Sequence, residues 1–182
     1  TQLVKELNGR SLLLFSAKSR FEAAREYLLN ALNGDLPLFI QGMGNNVIEE
    51  FKESGEGVLL GMETFGEGID IPGDSLSFIF IDKVPDLRMD LVIQERRDFY
   101  SKHIGNEFVD YYLAHRTRSL HQKLGRLLRT KTDEGAVVIV DSRIKRWKGR
   151  TMQQFHDLMR PYNIHRTNLS NACQEVKEFL IK

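Results

Sequence analysis

The sequence has one cysteine, Cys173, among its 182 residues. A single cysteine forms no internal disulfide and supplies no cluster of thiolate metal ligands. This usage is compatible with a reducing compartment, so we expect a cytoplasmic location. The chain also lacks any apolar run near the ~18 residues that a membrane-spanning helix needs, and no signal peptide is visible. We therefore expect no membrane partner.

Neither sign of charge dominates, because 26 basic and 25 acidic residues leave a net charge of +1. A global basic field is therefore excluded as a means of binding polyanions. The basic residues are unevenly spread, however. Residues 115–131 contain six Lys or Arg, two His and no acid, and residues 143–150 contain five Lys or Arg and no acid. A local basic strip on a near-neutral protein can still hold a polyanion.

Apolar runs and helical patterns alternate along the chain. Strands are predicted at 11–15, 38–40, 58–61, 76–81 and 136–140. Helices are predicted at 21–31 before Asn33-Gly34, from Asn45 or Asn46 to 52, and at 90–101, 106–129 and 170–180. This alternation predicts an α/β fold in which helices cover both faces of a mostly parallel sheet. Length and composition predict one domain over residues 1–182, with ligands beyond the carboxyl ends of the strands.

The most informative segment is Gln-Lys-Leu-Gly-Arg-Leu-Leu-Arg at 122–129. Gln122, Arg126 and Arg129 stand at i, i+4 and i+7, which is one stripe of a helix. Gly125 interrupts this helix at a cost of about 1 kcal/mol, which is easiest to tolerate where a ligand approaches the backbone. Guanidinium groups bind phosphate oxygens as a planar fork, so the stripe suits a polyphosphate. The alternative is a solvated basic face.

A second segment, residues 61–73, is a glycine-rich loop that follows a predicted strand. Gly66 and Gly68 permit backbone geometries that other residues avoid, and exposed amides in such a turn can bind an anion. Glu67 and Asp70 are acceptors suited to a ribose hydroxyl, a water molecule or an arginine. The alternative is a plain turn.

Together these segments resemble the motifs of superfamily 2 helicases. Gly-Met-Glu-Thr-Phe-Gly-Glu-Gly-Ile-Asp at 61–70 resembles motif V, and Gln-x-x-Gly-Arg-x-x-Arg at 122–129 resembles motif VI. Leu-Phe-Ser-Ala-Lys-Ser at 14–19 stands in the place of motif IV. The Glu-Gly-x-Asp form of motif V, with Asp-x-Arg at 141–143 after a strand, is most similar to the DinG/XPD-like branch of DNA helicases.

The resemblance implies a RecA-like three-layer α/β/α fold and, specifically, the second RecA-like domain of the motor. The sequence contains no Gly-x-x-x-x-Gly-Lys-Ser/Thr, no Asp-Glu-Ala-His-like box and no set of four cysteines for an iron–sulfur cluster. In this family those parts lie in the first RecA-like domain. We therefore expect the chain to be part of a longer polypeptide, with ATP and Mg²⁺ held mainly by that missing domain. The isolated chain is expected to be inactive.

The resemblance also implies roles for individual residues in ATP hydrolysis. Arg129 and Arg126 become arginine fingers, and Gln122 orients the γ-phosphate or the attacking water. Glu67 and Asp70 would couple the nucleotide state to the strand-binding loop, and Gly68 and Gly125 would allow the nucleotide to approach the backbone closely.

Single-stranded DNA is the second partner that the resemblance implies. Ser16, Lys18, Ser19 and Thr64 are polar groups at strand ends, where backbone phosphates could bind. Each has an alternative: the serines cap the next helix, the lysine is solvated, and the threonine closes a turn. Trp147 lies among basic residues, where helix packing is favoured over base stacking.

Two other classes of function fit the same residues. One is a nucleic-acid-binding module that has no motor activity and uses the basic helix for phosphate contacts. The other is a domain of an RNA helicase of the same superfamily, because motifs V and VI do not select the sugar.

Overall fold

The computed structural model describes residues 1–67, 69, 71, 75–86, 89–125, 134–160 and 162–181. For Glu67 it describes the backbone but not the side chain. Four residues of the predicted site lie outside this part of the chain, namely Gly68, Asp70, Arg126 and Arg129. The chain divides into two compact units. The first unit comprises residues 1–83, 123–140 and 167–182, and the second unit comprises residues 84–122 and 141–166.

Five strands and seven helices form the regular structure of the described residues. The strands are β1 (Ser11–Phe15), β2 (Leu38–Ile40), β3 (Val58–Met62), β4 (Phe78–Ile81) and β5 (Ala136–Ile139). The helices are α1 (Gln2–Glu6), α2 (Lys18–Leu32), α3 (Val47–Ser54), α4 (Leu91–His103), α5 (Ala114–Leu124), α6 (Gly149–Leu158) and α7 (Leu169–Leu180). Short 3₁₀ turns cover Glu63–Glu67 and Ser142–Arg146, and a π-helical segment, Phe108–Leu113, leads into α5.

The sheet belongs to the first unit, and all of its strands are parallel. Their order is β2-β3-β1-β4-β5. In the centre, Leu14 of β1 is paired with Gly61 of β3 and with Ile81 of β4. The three strands therefore reach the same edge at their carboxyl ends. This confirms the predicted α/β class with a mostly parallel sheet.

Both faces of the sheet are buried, as a covered parallel sheet requires. On one face, side chains of the strands pack in a cluster with residues of α1, α2 and α7, including Phe21, Leu28 and Val176. Residues of the opposite face, such as Leu59 and Ile79, are fully buried as well. The strands appear in the sequence as nearly continuous apolar runs because both of their faces are buried.

The structure departs from the predicted elements at several places. The fourth strand begins at Phe78 rather than 76, because the amides of Ser77 and Phe78 both donate to the carbonyl of Arg10. The long helix predicted at 106–129 starts with the π-helical segment, and its α-helical part ends at Leu124. Two helices, α1 and α6, were not predicted. No helix in the described ranges has both the length and the apolar character needed to cross a bilayer.

Two glycines control how the chain enters the sheet. Gly9 precedes β1 and Gly57 precedes β3, and both have positive φ, at 77° and 98°. A Cβ built on Gly9 would lie 2.2 Å from the backbone nitrogen of Gly57. The two backbones therefore approach so closely that no side chain fits between them.

We predict that Gly9→Ala lowers the free energy of unfolding by about 3 kcal/mol, since overpacking and a left-handed backbone both oppose it. The matched control is Gly34→Ala, which has a φ of 83° but no atom within 4 Å of the added Cβ. It should cost only about 1–2 kcal/mol. If urea unfolding shows the same loss of unfolding free energy in both variants, the close approach of the Gly9 and Gly57 backbones is contradicted.

Candidate functional site at the carboxyl edge of the sheet

Ser16 lies immediately after β1 and is held by the end of the neighbouring strand. Its amide donates to Oδ1 of Asp82 at 2.8 Å, and its hydroxyl donates to Oδ2 at 3.1 Å. The Asp82 side chain is only 5% exposed and also pairs with Arg20 at 3.2 Å. The residue at the N-cap of α2 is Ala17, and no side chain caps the helix. The alternative that Ser16 and Ser19 are helix caps is therefore wrong.

Lys18 and Ser19 are exposed on the first turn of α2, at the same edge of the sheet. Lys18 lines an open depression of about 280 Å³ beyond β2 and β3, together with Gln41 and Met62. The Oε1 atom of Gln41 accepts a hydrogen bond from the Met62 amide at 2.7 Å, which ties the ends of these two strands together. A polar ligand at this depression would meet the ammonium group of Lys18 and the carboxylate of Glu22.

The loop after β3 packs tightly against the sheet. Gly61 lies under the ring of Phe65, where an added Cβ would be 2.3 Å from Cδ1, and Gly66 lies on Leu14, where the distance would be 2.7 Å. The φ of Gly66 is not positive, so the prediction that Gly66 adopts a backbone geometry closed to other residues is wrong. The residue is small because it contacts the core. Thr64 is exposed at the surface of the same loop.

An ion pair joins this loop to the end of α5 within the first unit. Nζ of Lys123 lies 3.7 Å from Oε1 of Glu63, and the lysine side chain is 1% exposed. Its neighbours on either side differ in environment, because Gln122 is exposed and Leu124 is buried. Gly125 follows in an exposed turn. The structure thus brings together the start of each of the two segments that resemble motifs V and VI.

The second unit contains a closed network of charges. Arg116 is buried and donates from Nε to the carbonyl of Pro85 at 2.7 Å and from Nη2 to the carbonyl of Val84 at 2.9 Å. Its guanidinium also lies 3.8 Å from Asp86 and 3.7 Å from Asp141. A buried cation requires such partners, since an unpaired one costs several kcal/mol.

Arg143 completes this network. Its Nε and Nη2 atoms donate to Asp141 at 3.0 and 2.8 Å, and Nη2 also donates to the carbonyl of Val84 at 3.0 Å. A further ion pair joins Arg143 to Asp86. Burial raises the pKa of the Asp141 carboxyl, but hydrogen bonds from the side chain and amide of Arg143 outweigh burial and hold that pKa below its ordinary value.

Sequence reasoning missed Arg116 and the burial of Lys123. A signal was available, because Val109, Leu113 and Leu120 form an apolar stripe of helical spacing, and Arg116 occupies the same stripe. Lys123 continues it three residues after Leu120. A cation within an apolar stripe is a candidate for burial with a partner.

Trp147 is buried and packs on Phe155 of α6, with ring centroids 5.3 Å apart. It also contacts Phe108 at 6.4 Å. The favoured interpretation of this residue as a packing tryptophan is confirmed. Within the described part of the chain, no group of three or more His, Cys, Asp or Glu side chains is placed to hold a metal ion.

Comparisons with known proteins agree with the motifs. The family described as the helicase C-terminal domain matches residues 1–162. A probable ATP-dependent helicase of Methanocaldococcus jannaschii is 31% identical over 98% of this chain and 30% of its own length. The ATP-dependent helicase DinG of Mycobacterium tuberculosis is 34% identical over 79% of this chain and 22% of its length. The ATP-dependent DNA helicase YoaA of Escherichia coli is 28% identical over 78% of this chain and 22% of its own length. The chain thus spans less than a third of these relatives.

The charge network generates a pH prediction. The pKa of Asp141 is lower in the folded than in the unfolded protein. The contribution of Asp141 to the free energy of unfolding is therefore complete above the ordinary pKa of ~3.9, and it is lost as the pH falls through the folded-state pKa. We expect Asp141→Asn to lower the free energy of unfolding at pH 7 by about 3 kcal/mol and to flatten its acid dependence.

The matched control is Asp157→Asn, since Asp157 forms an exposed i, i+3 pair with Arg160 at 3.0 Å. We expect this change to alter the stability little, as for most surface pairs. Urea unfolding between pH 7 and 3 measures both variants. If the free energy of unfolding of Asp141→Asn falls as steeply between pH 7 and 3 as that of the wild-type chain, the network does not cause the acid dependence.

Proposed function

The chain belongs to the helicase C-terminal domain family, and from that premise we propose that residues 1–182 form the second motor domain of an ATP-dependent DNA helicase. The five parallel strands and their covering helices are consistent with the RecA-like α/β fold of the DinG-like branch. The observation that carries the proposal is the ion pair between Glu63 and Lys123. It joins the beginnings of two segments that must act on one nucleotide if the chain is a motor domain.

In this proposal ATP lies between two motor domains, and the first RecA-like domain of the same polypeptide holds the phosphates and Mg²⁺. Negative charge grows on the γ-phosphoryl oxygens as the bond breaks, and a cation aimed at those oxygens lowers the barrier. Arg129 and Arg126 supply that cation. Gln122, which is exposed on α5, orients the γ-phosphate or the attacking water.

The loop after β3 senses the nucleotide. Glu67 and Asp70 accept hydrogen bonds from the ribose, a water molecule or an arginine, and Gly68 and Gly125 allow close approach. The packing of Gly66 on Leu14 holds the start of this loop against the sheet, so a shift at the nucleotide is passed to the strand ends.

Single-stranded DNA is the proposed substrate of the same edge. Lys18, Ser19 and Thr64 are exposed there, and we assign phosphate contacts to all three. Ser16 contributes less directly, because its amide and hydroxyl are both bonded to Asp82. A phosphate contact from Ser16 requires that pair to open. The Asp82 carboxylate instead keeps Arg20 close to the edge, at 3.2 Å.

We predict that Arg129→Ala in the intact helicase lowers the kcat of ATP hydrolysis by about 10³-fold or more, because an arginine finger acts on the transition state. ATP affinity should change little, since the first domain holds the phosphates. The matched control is Arg160→Ala, which removes an exposed arginine that pairs with Asp157. A kcat for Arg129→Ala equal to that of the control would remove the finger assignment.

We also predict that the isolated 182-residue chain does not hydrolyse ATP, because the sequence has no P-loop to hold the triphosphate. Phosphate release is measured with Mg²⁺-ATP and single-stranded DNA, before and after the first motor domain is added. Activity should arise only in the mixture. Mg²⁺-dependent hydrolysis by the chain alone, abolished by Arg129→Ala, would mean that it carries a complete active site.

A further inference from the structure

Helix α4 of the second unit has no buried residue. Its exposed positions form two stripes of different chemistry. One stripe carries Leu91, Glu95, Asp98 and Lys102 and is therefore of mixed charge. The other stripe carries Val92, Arg96, Phe99 and His103, all of them exposed, and contains no acid. Phe99 is 55% exposed, which is unusual for a large aromatic side chain.

The exposed rings are held in place by a chain of ring contacts. The Phe99 and His103 rings lie 4.8 Å apart at an angle of 39°. Phe99 contacts Tyr100 at 6.5 Å, Tyr100 contacts Tyr111 at 5.0 Å, and Tyr111 contacts His115 at 4.7 Å. Tyr111 is buried, so this chain of rings is anchored in the interior of the unit. A ring that is fixed in this way loses little entropy when a planar ligand stacks on it.

Cations without acidic partners flank these rings. Arg96 of α4 and Arg118 of α5 are exposed, and neither pairs with a carboxylate in the part of the chain that the structure describes. Burial lowers the pKa of His115, and the charges of Arg118 and Arg96 lower it further. Arg96 stands three residues before Phe99 on α4 and Arg118 stands three residues after His115 on α5, so each cation lies one helical turn from a ring of this set. We call the set of Arg96, Phe99, His103, His115 and Arg118 the aromatic–basic face.

We propose that the aromatic–basic face binds a segment of single-stranded nucleic acid. Arg96 and Arg118 contact the phosphates, and the exposed ring of Phe99 stacks on a base. Non-specific binding of single strands depends on this combination of cations along a groove and aromatic rings between them. A double helix is not the expected ligand, because its bases are already stacked on one another.

This inference deepens the proposed function and depends on it for the choice of DNA as the strand. It adds residues of the second unit to Lys18, Ser19 and Thr64 of the first unit. The main competing occupant is a protein surface that docks on Val92 and Phe99. The charges favour the nucleic acid, since an apolar protein patch would leave both guanidinium groups without an anion.

The test uses the complete 182-residue chain and a fluorescein-labelled oligo(dT) of about 20 nucleotides, with affinity measured by anisotropy at several salt concentrations. We expect Phe99→Ala to weaken binding by about tenfold, as for loss of one stacked base. Arg96→Gln with Arg118→Gln should weaken binding and reduce the salt slope by about 1.4, since each phosphate contact on a single strand contributes about 0.7. Phe99→Trp should retain binding, and its fluorescence should be quenched by the oligonucleotide.

Matched controls come from the other stripe of α4. Leu91→Ala removes a side chain that is 81% exposed, and Lys102→Gln removes one exposed cation. Both should bind oligo(dT) like the wild-type chain. Thermal unfolding of every variant checks that the helix is intact.

The inference is overturned if Phe99→Ala and the double arginine variant bind as tightly as the controls, or if the wild-type chain binds no oligonucleotide. Loss of binding in Lys18→Ala alone would support the proposed function and reject the aromatic–basic face. Loss in Phe99→Ala alone would support the face and reject the contact at Lys18. If Phe99→Ala instead weakens association with the first motor domain and leaves oligo(dT) affinity unchanged, the face docks protein and the inference is wrong.

Discussion

Helix α5 buries two cations, and much of the surrounding structure depends on their partners. A buried charge without a partner costs several kcal/mol, so each cation fixes the groups that neutralise it. Arg116 holds the carbonyl groups of Val84 and Pro85, which begin the chain of the second unit after β4. Lys123 pairs with Glu63, which begins the loop after β3 in the first unit. Each buried cation therefore fixes, within its own unit, a segment that follows a strand of the sheet.

The sheet could be predicted because its strands are short apolar runs that need burial on both faces, and because helical patterns separate them. Helices α1 and α6 could not, since short isolated helices are marginal and take their stability from distant contacts. Such a contact is the ion pair between Glu6 of α1 and Lys177 of α7, at 2.9 Å. Nothing near residues 2–6 in the sequence indicates it.

The site was predictable to the extent that it is local. The segments that resemble motifs IV and V run on from the carboxyl ends of β1 and β3, and Lys18, Ser19 and Thr64 are exposed there. The hydrogen bonds from Ser16 to Asp82 were not predictable, because the two residues are 66 positions apart in the sequence. Gly66 was misinterpreted for a similar reason. Its small size is required by Leu14 of another strand, a contact that backbone preferences do not reveal.

Two pairs of arginines in the second unit differ in their partners, and this difference distinguishes a structural role from a binding role. Arg116 and Arg143 share two carboxylates and the carbonyl group of Val84, so their positive charge is neutralised within the fold. Arg96 and Arg118 are exposed, and neither pairs with a carboxylate among the residues that the structure describes. Unpaired cations leave a local excess of positive charge on this face. An arrangement that retains them is expected to acquire its counter-charge from outside, and a phosphodiester strand provides it at regular intervals.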